Sequence, residues 1–361
     1  MKPLRPLLRG GPAPLVPGRY KTLPEDFVVE ELPAYAPADA GTHCFVLIEK
    51  RGLSTPDAVF QLARALGRRE REFGWAGLKD AQAITRQWVS IEHADPERLR
   101  GLSLEGVQVL EVRRHGNKLK LGHLRGNRFT IRLRGAGAEH LPALVTNLAD
   151  LAARGAPNWF GEQRFGKRGA NLGKGLAILQ SADPRAAART LPPHVFKLMV
   201  SAVQSEAFNR VLARRIASCD RLLPGDVAFL HRNGACFLVE DPAQEQARCA
   251  EFEISPAGPL PGPKCFAAQG EPAAIEAQVL GELGITPAHF GRMPKDTHEG
   301  ARRPLRVALG AARAWADPDG LLLSFELPAG AYATAVLREL IEDAPWFTET
   351  RPDQPSTSSM T

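Results

Sequence analysis

The chain has 361 residues, 46 of them basic and 40 acidic, with a formal net charge of +6, a pI near 9.2, 44% hydrophobic and 24% charged residues. At ~100–200 residues per domain this length suggests two domains, or one large domain carrying an insertion. The composition excludes wholesale disorder, a fibrous repeat and a coiled coil, and no run approaches the ~18 apolar residues of a membrane span. Residues 1–20 do not read as a signal peptide, because Pro3, Pro6, Pro12, Pro14 and Pro17 interrupt their apolar stretch. A cytoplasmic location is expected. Five scattered cysteines (Cys44, Cys219, Cys236, Cys249, Cys265) form no C-x-x-C pair, so we expect buried free thiols rather than disulfides or a zinc knuckle. The histidines lack ligand spacing, and neither a Walker A loop nor a G-x-G-x-x-G fingerprint is present.

In chain order, Phe27–Glu31 and Cys44–Ile48 read as strands, rich in aromatic and β-branched residues. Between Leu53 and Gly67 the period changes: Ser54 and Thr55 can cap, Pro56 suits the first turn, and Asp57 sits at the positive end of the dipole. Val59, Phe60, Leu62, Ala63 and Leu66 supply an apolar face. Phe73–Gly77 returns as a strand and completes a β-α-β unit. Strands at 107–112, 118–121 and 128–134 then read as an antiparallel meander, with Lys118, Lys120, Arg128, Arg132 and Arg134 forming a basic face. The window 111–134 holds eight basic residues and one acid, a local charge of +7.

A second region begins near Pro157. Residues 183–216 read as helical with a break at Pro192-Pro193, and residues 226–240 as a hairpin around Asn233-Gly234. Residues 255–263, with four prolines and two glycines, read as a loop, and 272–283 as a helix. Strands at 305–309 and 321–327 and a helix at 331–341 follow. The mixture is α+β. From Asp343 onward Pro, Ser and Thr dominate, which predicts a disordered tail.

Three stretches carry candidate chemistry. Asp80, in Gly77-Leu78-Lys79-Asp80, follows a strand and a glycine, so its carboxylate falls at a strand end where pockets form. It reads as a helix cap or turn acceptor, or as a nucleophile held ionised by Lys79 or another cation. In Gly126-Asn127-Arg128-Phe129, Asn127 can hydrogen-bond a base edge and Phe129 can stack beneath a base, although Phe129 shares its face with Ile131 and Leu133 and suits a core equally. The third, Pro157-Asn158-Trp159-Phe160-Gly161-Glu162-Gln163-Arg164-Phe165-Gly166-Lys167-Arg168, interleaves aromatics with Arg164, Lys167 and Arg168. Residues 154–174 carry a local charge of +4, which suits RNA as well as a solvated face.

Gly77–Asp80 with Thr85 and Gln87 resembles the catalytic motif of the TruD family of tRNA pseudouridine synthases. Pro24–Val29, Gly126–Phe129, Asn158–Gly166 and Leu327–Thr334 follow in that family's order. The resemblance spans about residues 21–341. It implies a mixed, largely antiparallel pseudouridine synthase core at 1–156 and 304–342, interrupted by a family-specific α+β domain at 157–303. The substrate it implies is a uridine in tRNA, at position 13 in the bacterial family, with tRNA as the partner and no membrane, metal or cofactor. Asp80 would be the nucleophile, attacking C1′ or C6, with Lys21 as its basic partner and Lys79 in support. Phe129 would stack on the target base, with Phe27, Asn127, Gly330 and Tyr332 lining the pocket. Trp159 departs from the common Tyr, and Tyr332 from the common Phe. Lys118, Lys120, Arg128, Arg164, Lys167 and Arg168 are the expected RNA-backbone contacts. We expect a monomer. A non-catalytic RNA-binding protein and a metal-free, base-releasing N-glycosylase are the alternatives.

Overall fold

The computed structural model describes residues 1–294 and 298–342, so the expected disordered tail at 343–361 lies outside the described residues. Strands β1 (Phe27–Pro33) and β2 (His43–Arg51) lead into helix α1 (Thr55–Leu66). Ser54 accepts from the Asp57 N–H, Asp57 reciprocates, and Gly67 ends the helix at φ +68°. Val59, Leu62, Ala63 and Leu66 bury as expected, but Phe60 turns to solvent, 52% exposed. Strand β3 (Phe73–Trp75) is short. It is followed by β4 (Ile84–Glu92), a strand hidden in the sequence because Thr85, Gln87 and Ser90 break its apolar pattern. All three polar side chains are buried. Both β2 and β3 pair antiparallel with β4, so the β-α-β unit forms with a strand between its parallel members.

After α2 (Pro96–Arg100) come β5 (Val107–His115) and β6 (Leu124–Leu133), and the expected meander does not form. Residues 118–121 make no strand: Leu119 turns inward against Phe45, Ala76 and Trp88, its N–H donating to Ser90 Oγ. Strand β5 pairs with β2, whereas β6 lies between β1 and a later strand, because those long non-local ladders bury both of its edges. Helix α3 (Leu141–Arg154) places Leu144, Leu148 and Leu151 against the sheet, and β7 (Ala156–Pro157) ends this part.

Next come α4 (Ala170–Gln180), α5 (Pro184–Thr190), α6 (Pro193–Arg214), β8 (Val227–Leu230), β9 (Cys236–Leu238), α7 (Pro242–Ala250), β10 (Ile254–Leu260), α8 (Gly270–Glu282), α9 (Pro287–Gly291) and β11 (Ala301–Pro304). The helix break and the hairpin fall where expected. Residues 254–260 are a strand, not a loop. They pair with β8 through 254–256 and with β11 through 257–260, and Pro256, which has no N–H to give, accepts from the Leu305 N–H through its carbonyl where the partner changes.

The chain returns through β12 (Arg306–Val307), β13 (Gly310–Asp317), β14 (Gly320–Pro328) and α10 (Ala333–Arg338). The strand expected at 305–309 is confined to Arg306–Val307, which pairs with β7. The alanine-rich β13 has weak strand preference of its own and is set by its ladder with β14. The main sheet runs β13-β14-β6-β1-β4-β2-β5, with β3 also on β4. The smaller sheet runs β11-β10-β8-β9. The first twenty residues strap the two regions together. Leu4 N–H donates to the fully buried Glu206 on α6, Arg9 N–H to Glu339, Val16 N–H to Leu340 O, and Arg19 pairs with Arg134 through both backbone groups. All five cysteines are free, with Cys44, Cys219 and Cys249 buried and Cys236 and Cys265 half-buried. Among the described residues no helix is long and apolar enough to cross a membrane.

Candidate active site

The loop between β3 and β4 turns two adjacent charged side chains in opposite directions. Lys79 points inward, its ammonium 2.7 Å from Glu31 with both side chains almost wholly buried. Its backbone N–H donates to Thr55 Oγ1, which donates to Gln87 Oε1, so Thr55 and Gln87 lock the loop from below. Asp80 points the other way and accepts from the Gln82 N–H. Its partner is Lys21, whose ammonium forms an ion pair with Oδ2 and lies 4.2 Å above the Phe27 ring. The cation beside Asp80 is thus Lys21 and not the neighbouring Lys79.

Lys50 carries no mark in the local sequence that singles it out. Its fully buried ammonium donates to the carbonyls of Asp80 (2.8 Å) and Leu53, tying the loop to β2. Burial pushes its pKa down to about 8, opposed by Asp80 and Asp57 and helped by Lys79. Tyr20 is likewise pushed up to about 12, first by burial, with Arg338 opposing and the Asp80 charge adding to it.

Asp80 opens on a cleft of about 630 Å³. Phe27, Val29, Asn127 and Phe129 come from β1 and β6, Gly330 and Tyr332 from the turn after β14, and Gly161, Glu162 and Gln163 from the start of the second region. Gly126 fixes the neighbouring register: a Cβ there would lie 2.1 Å from Leu327 O on β14. Phe129 is 8% exposed and packs on Phe27 and Phe325, centroids 6.0 and 5.6 Å away, so it serves core and cleft together. Asn127 Oδ1 is buried with no partner among the described residues. Arg303, pushed down to about 10 by burial, stacks on Phe160 at 4.1 Å and donates to Asn158 and to Gly330 O. It joins the third motif to the cleft rim. Neither Glu162 nor Arg303 stands out in the sequence, because their burial depends on segments far apart in the chain.

The expected RNA-contact residues divide. Arg128 lies 2.7 Å from Glu326, Lys118 donates to Arg71 O, and Arg164 rests on Phe160 near Ser201. Arg132 and Arg134 pair with Asp317 and with the fully buried Asp26. Burial opposes ionisation of Asp26, but the Arg134 and Leu23 hydrogen bonds outweigh it and hold its carboxyl below the usual range. Lys120, Lys167 and Arg168 are exposed, without an ion pair among the described residues.

The sequence model of tRNA pseudouridine synthase D (TruD) matches residues 13–182 and 172–340. The chain belongs to the tRNA pseudouridine synthase D family. It is 42% identical to the tRNA pseudouridine synthase D of Geobacter metallireducens, over 90% of this chain and 95% of that protein. It is 45% identical to that of Anaeromyxobacter sp. strain Fw109-5, over 90% and 93%. A crystal structure from Methanosarcina mazei assigned to TruD shares the fold, with a TM-score of 0.78 at 24% identity, covering 93% of this chain and 95% of the other. Membership of the TruD family makes the chain an isomerase with an α+β fold.

Proposed function

We propose that this protein isomerises a uridine in tRNA, the one at position 13, to pseudouridine, with Asp80 as nucleophile. The observation that carries the reading is the Asp80–Lys21 pair at the wall of a cleft that also presents Phe129 and the unpartnered Asn127 Oδ1. Asp80 attacks C1′ of the ribose or C6 of the uracil; the N1–C1′ bond breaks, the uracil turns, C5 bonds to C1′, and the bond to Asp80 breaks with its electron pair returning to the carboxylate. A carboxylate suffices as a nucleophile when a cation compensates its charge. The Asn127 acceptor suits the N3–H of uracil, whose loss from water must otherwise go uncompensated. Leaving the stack costs a few kcal/mol, which aromatic stacking of ~1–3 kcal/mol largely offsets.

Phosphate contacts fall to Lys120, Lys167 and Arg168, the members of the expected set that are exposed and make neither an ion pair nor a side-chain hydrogen bond among the described residues. We also assign residues 1–156 and 304–342 to the catalytic core and 157–303 to an inserted domain. The hydrophobic core around α4 and α6, which reaches into 1–156 and 304–342 only at Leu305, Tyr332 and Ala335, and the β7–β12 pairing support that division. On this reading the enzyme works in the cytoplasm.

Mapping pseudouridines in tRNA before and after incubation with the purified protein tests reaction and position together. Asp80→Asn is expected to abolish the product while tRNA affinity persists. An Asn variant that still isomerises uridine disproves the nucleophile assignment, and a loss of RNA mass would show base release instead.

A further inference from the structure

We propose that Glu162 is the base that takes the proton from C5 of the turned uracil, an inference that rests on the isomerase reading above. Once C5 has bonded to C1′, C5 still carries its hydrogen and N1 lacks one. The product requires the C5–H bond to break, its electron pair to return to the ring, and N1 to gain a proton. A proton moves from C5 to N1 with no net change in composition, so one carboxyl that accepts and then returns it is sufficient.

The titratable groups lining the cleft are Lys21, Lys79, Asp80, Glu162 and Tyr332. Lys21 is held by Asp80, Lys79 by Glu31, and Asp80 is engaged as nucleophile. Glu162 enters from the opposite region, on the turn after Gly161. It is half-buried, and its carboxylate has no hydrogen bond or ion pair among the described residues. An unpaired carboxyl withdrawn from water is costly to a fold and is found where its chemistry is used. Burial alone pushes its pKa up to about 7. Arg164 on its own turn, Lys167, Arg168 and Lys174 beside it, Lys197, Glu206 and Arg210 on α6, and Tyr332 and Arg303 at the rim contribute nothing resolvable to that shift. Two carboxylates therefore line one cleft in contrasting settings, Asp80 against an ammonium and Glu162 half-buried without a charged partner. Environments that differ in this way separate a nucleophile from a proton carrier.

The test uses tRNA tritiated at C5 of its uridines and follows release of label to water beside pseudouridine formation. Glu162→Gln is expected to slow both about 10²- to 10⁴-fold, with tRNA affinity within about twofold of wild type, while Glu162→Asp recovers part of the rate. Wild-type turnover should fall as pH drops below about 7, because the base must be unprotonated, and Glu162→Gln should lack that limb. Label release by Glu162→Gln at the wild-type rate overturns the proposal, as does a loss that appears in Tyr332→Phe and not in Glu162→Gln. A Gln variant that loses rate only in proportion to tRNA binding overturns it too. Wild-type protein that forms no pseudouridine defeats the isomerase reading itself, whereas active wild type with an unimpaired Gln variant defeats only the role of Glu162.

Discussion

Lys21 holds a backbone conformation that lysine seldom adopts, φ +58°, at a cost of order 1–3 kcal/mol. The cost is met by its surroundings: Arg19 is paired to Arg134 just before it, and Asp26 is clamped by Arg134 just after. That geometry carries the ammonium to Asp80 and over Phe27 at once. Phe129 shows the same double use, since its ring joins Phe27 and Phe325 yet borders the cleft. Phe129→Ala should therefore cost about 3–5 kcal/mol of stability, whereas Phe129→Leu should keep most of the fold and lose turnover through weaker stacking. Denaturant melts alongside single-turnover rates separate the two. If Leu turns over as fast as Phe, the ring acts only in packing. Asp80, Asn127 and Phe129 are legible in the sequence as candidates, because an acid after a strand and a glycine, and an amide and an aromatic set in a basic strand, stand out locally. Glu162 is not, because nothing in Gly161-Glu162-Gln163 records which distant side chains will exclude water from it.

At the level of elements, local signals suffice where the cause is local. The cap of α1, the break between α5 and α6 and the β8–β9 turn are all readable. They fail where long-range pairing decides, as with β6, whose neighbours β1 and β14 lie far from it in sequence, and with the proline-bearing β10. The basic faces of β5 and β6 illustrate the difference chemically. Their arginines meet acids from remote segments: Asp39 at Arg113, Glu326 at Arg128, Asp317 at Arg132, Asp26 at Arg134. Arg134→Ala leaves the fully buried Asp26 carboxylate only the Leu23 N–H and Arg132 at 3.9 Å, and should destabilise the protein by about 3 kcal/mol. Its effect on the salt dependence of tRNA binding should be negligible. A variant as stable as wild type, with a shallower salt dependence, would place Arg134 at the RNA instead.

For the whole molecule, the charge of +6 conceals windows of +7 at 111–134 and +4 at 154–174, leaving the remainder net acidic by five. Folding cancels much of the first window and leaves the second largely open at Lys167, Arg168 and Lys174. Neutralising those three should reduce the slope of log affinity against log salt by roughly 0.7–0.9 for each phosphate that no longer faces a cation, with stability unchanged. An unaltered slope would remove this face from the RNA surface. The β7–β12 pair has a consequence of another kind. Because the chain departs at Ala156–Pro157 and re-enters at Arg306–Val307 on hydrogen-bonded neighbours, a change of length between them need not shift a rung of the main sheet, provided that the cleft-lining turn at 161–163 and Arg303 at the rim are kept. One graft point, two residues wide, separates the length of the second region from the strands that carry the Asp80 wall of the cleft.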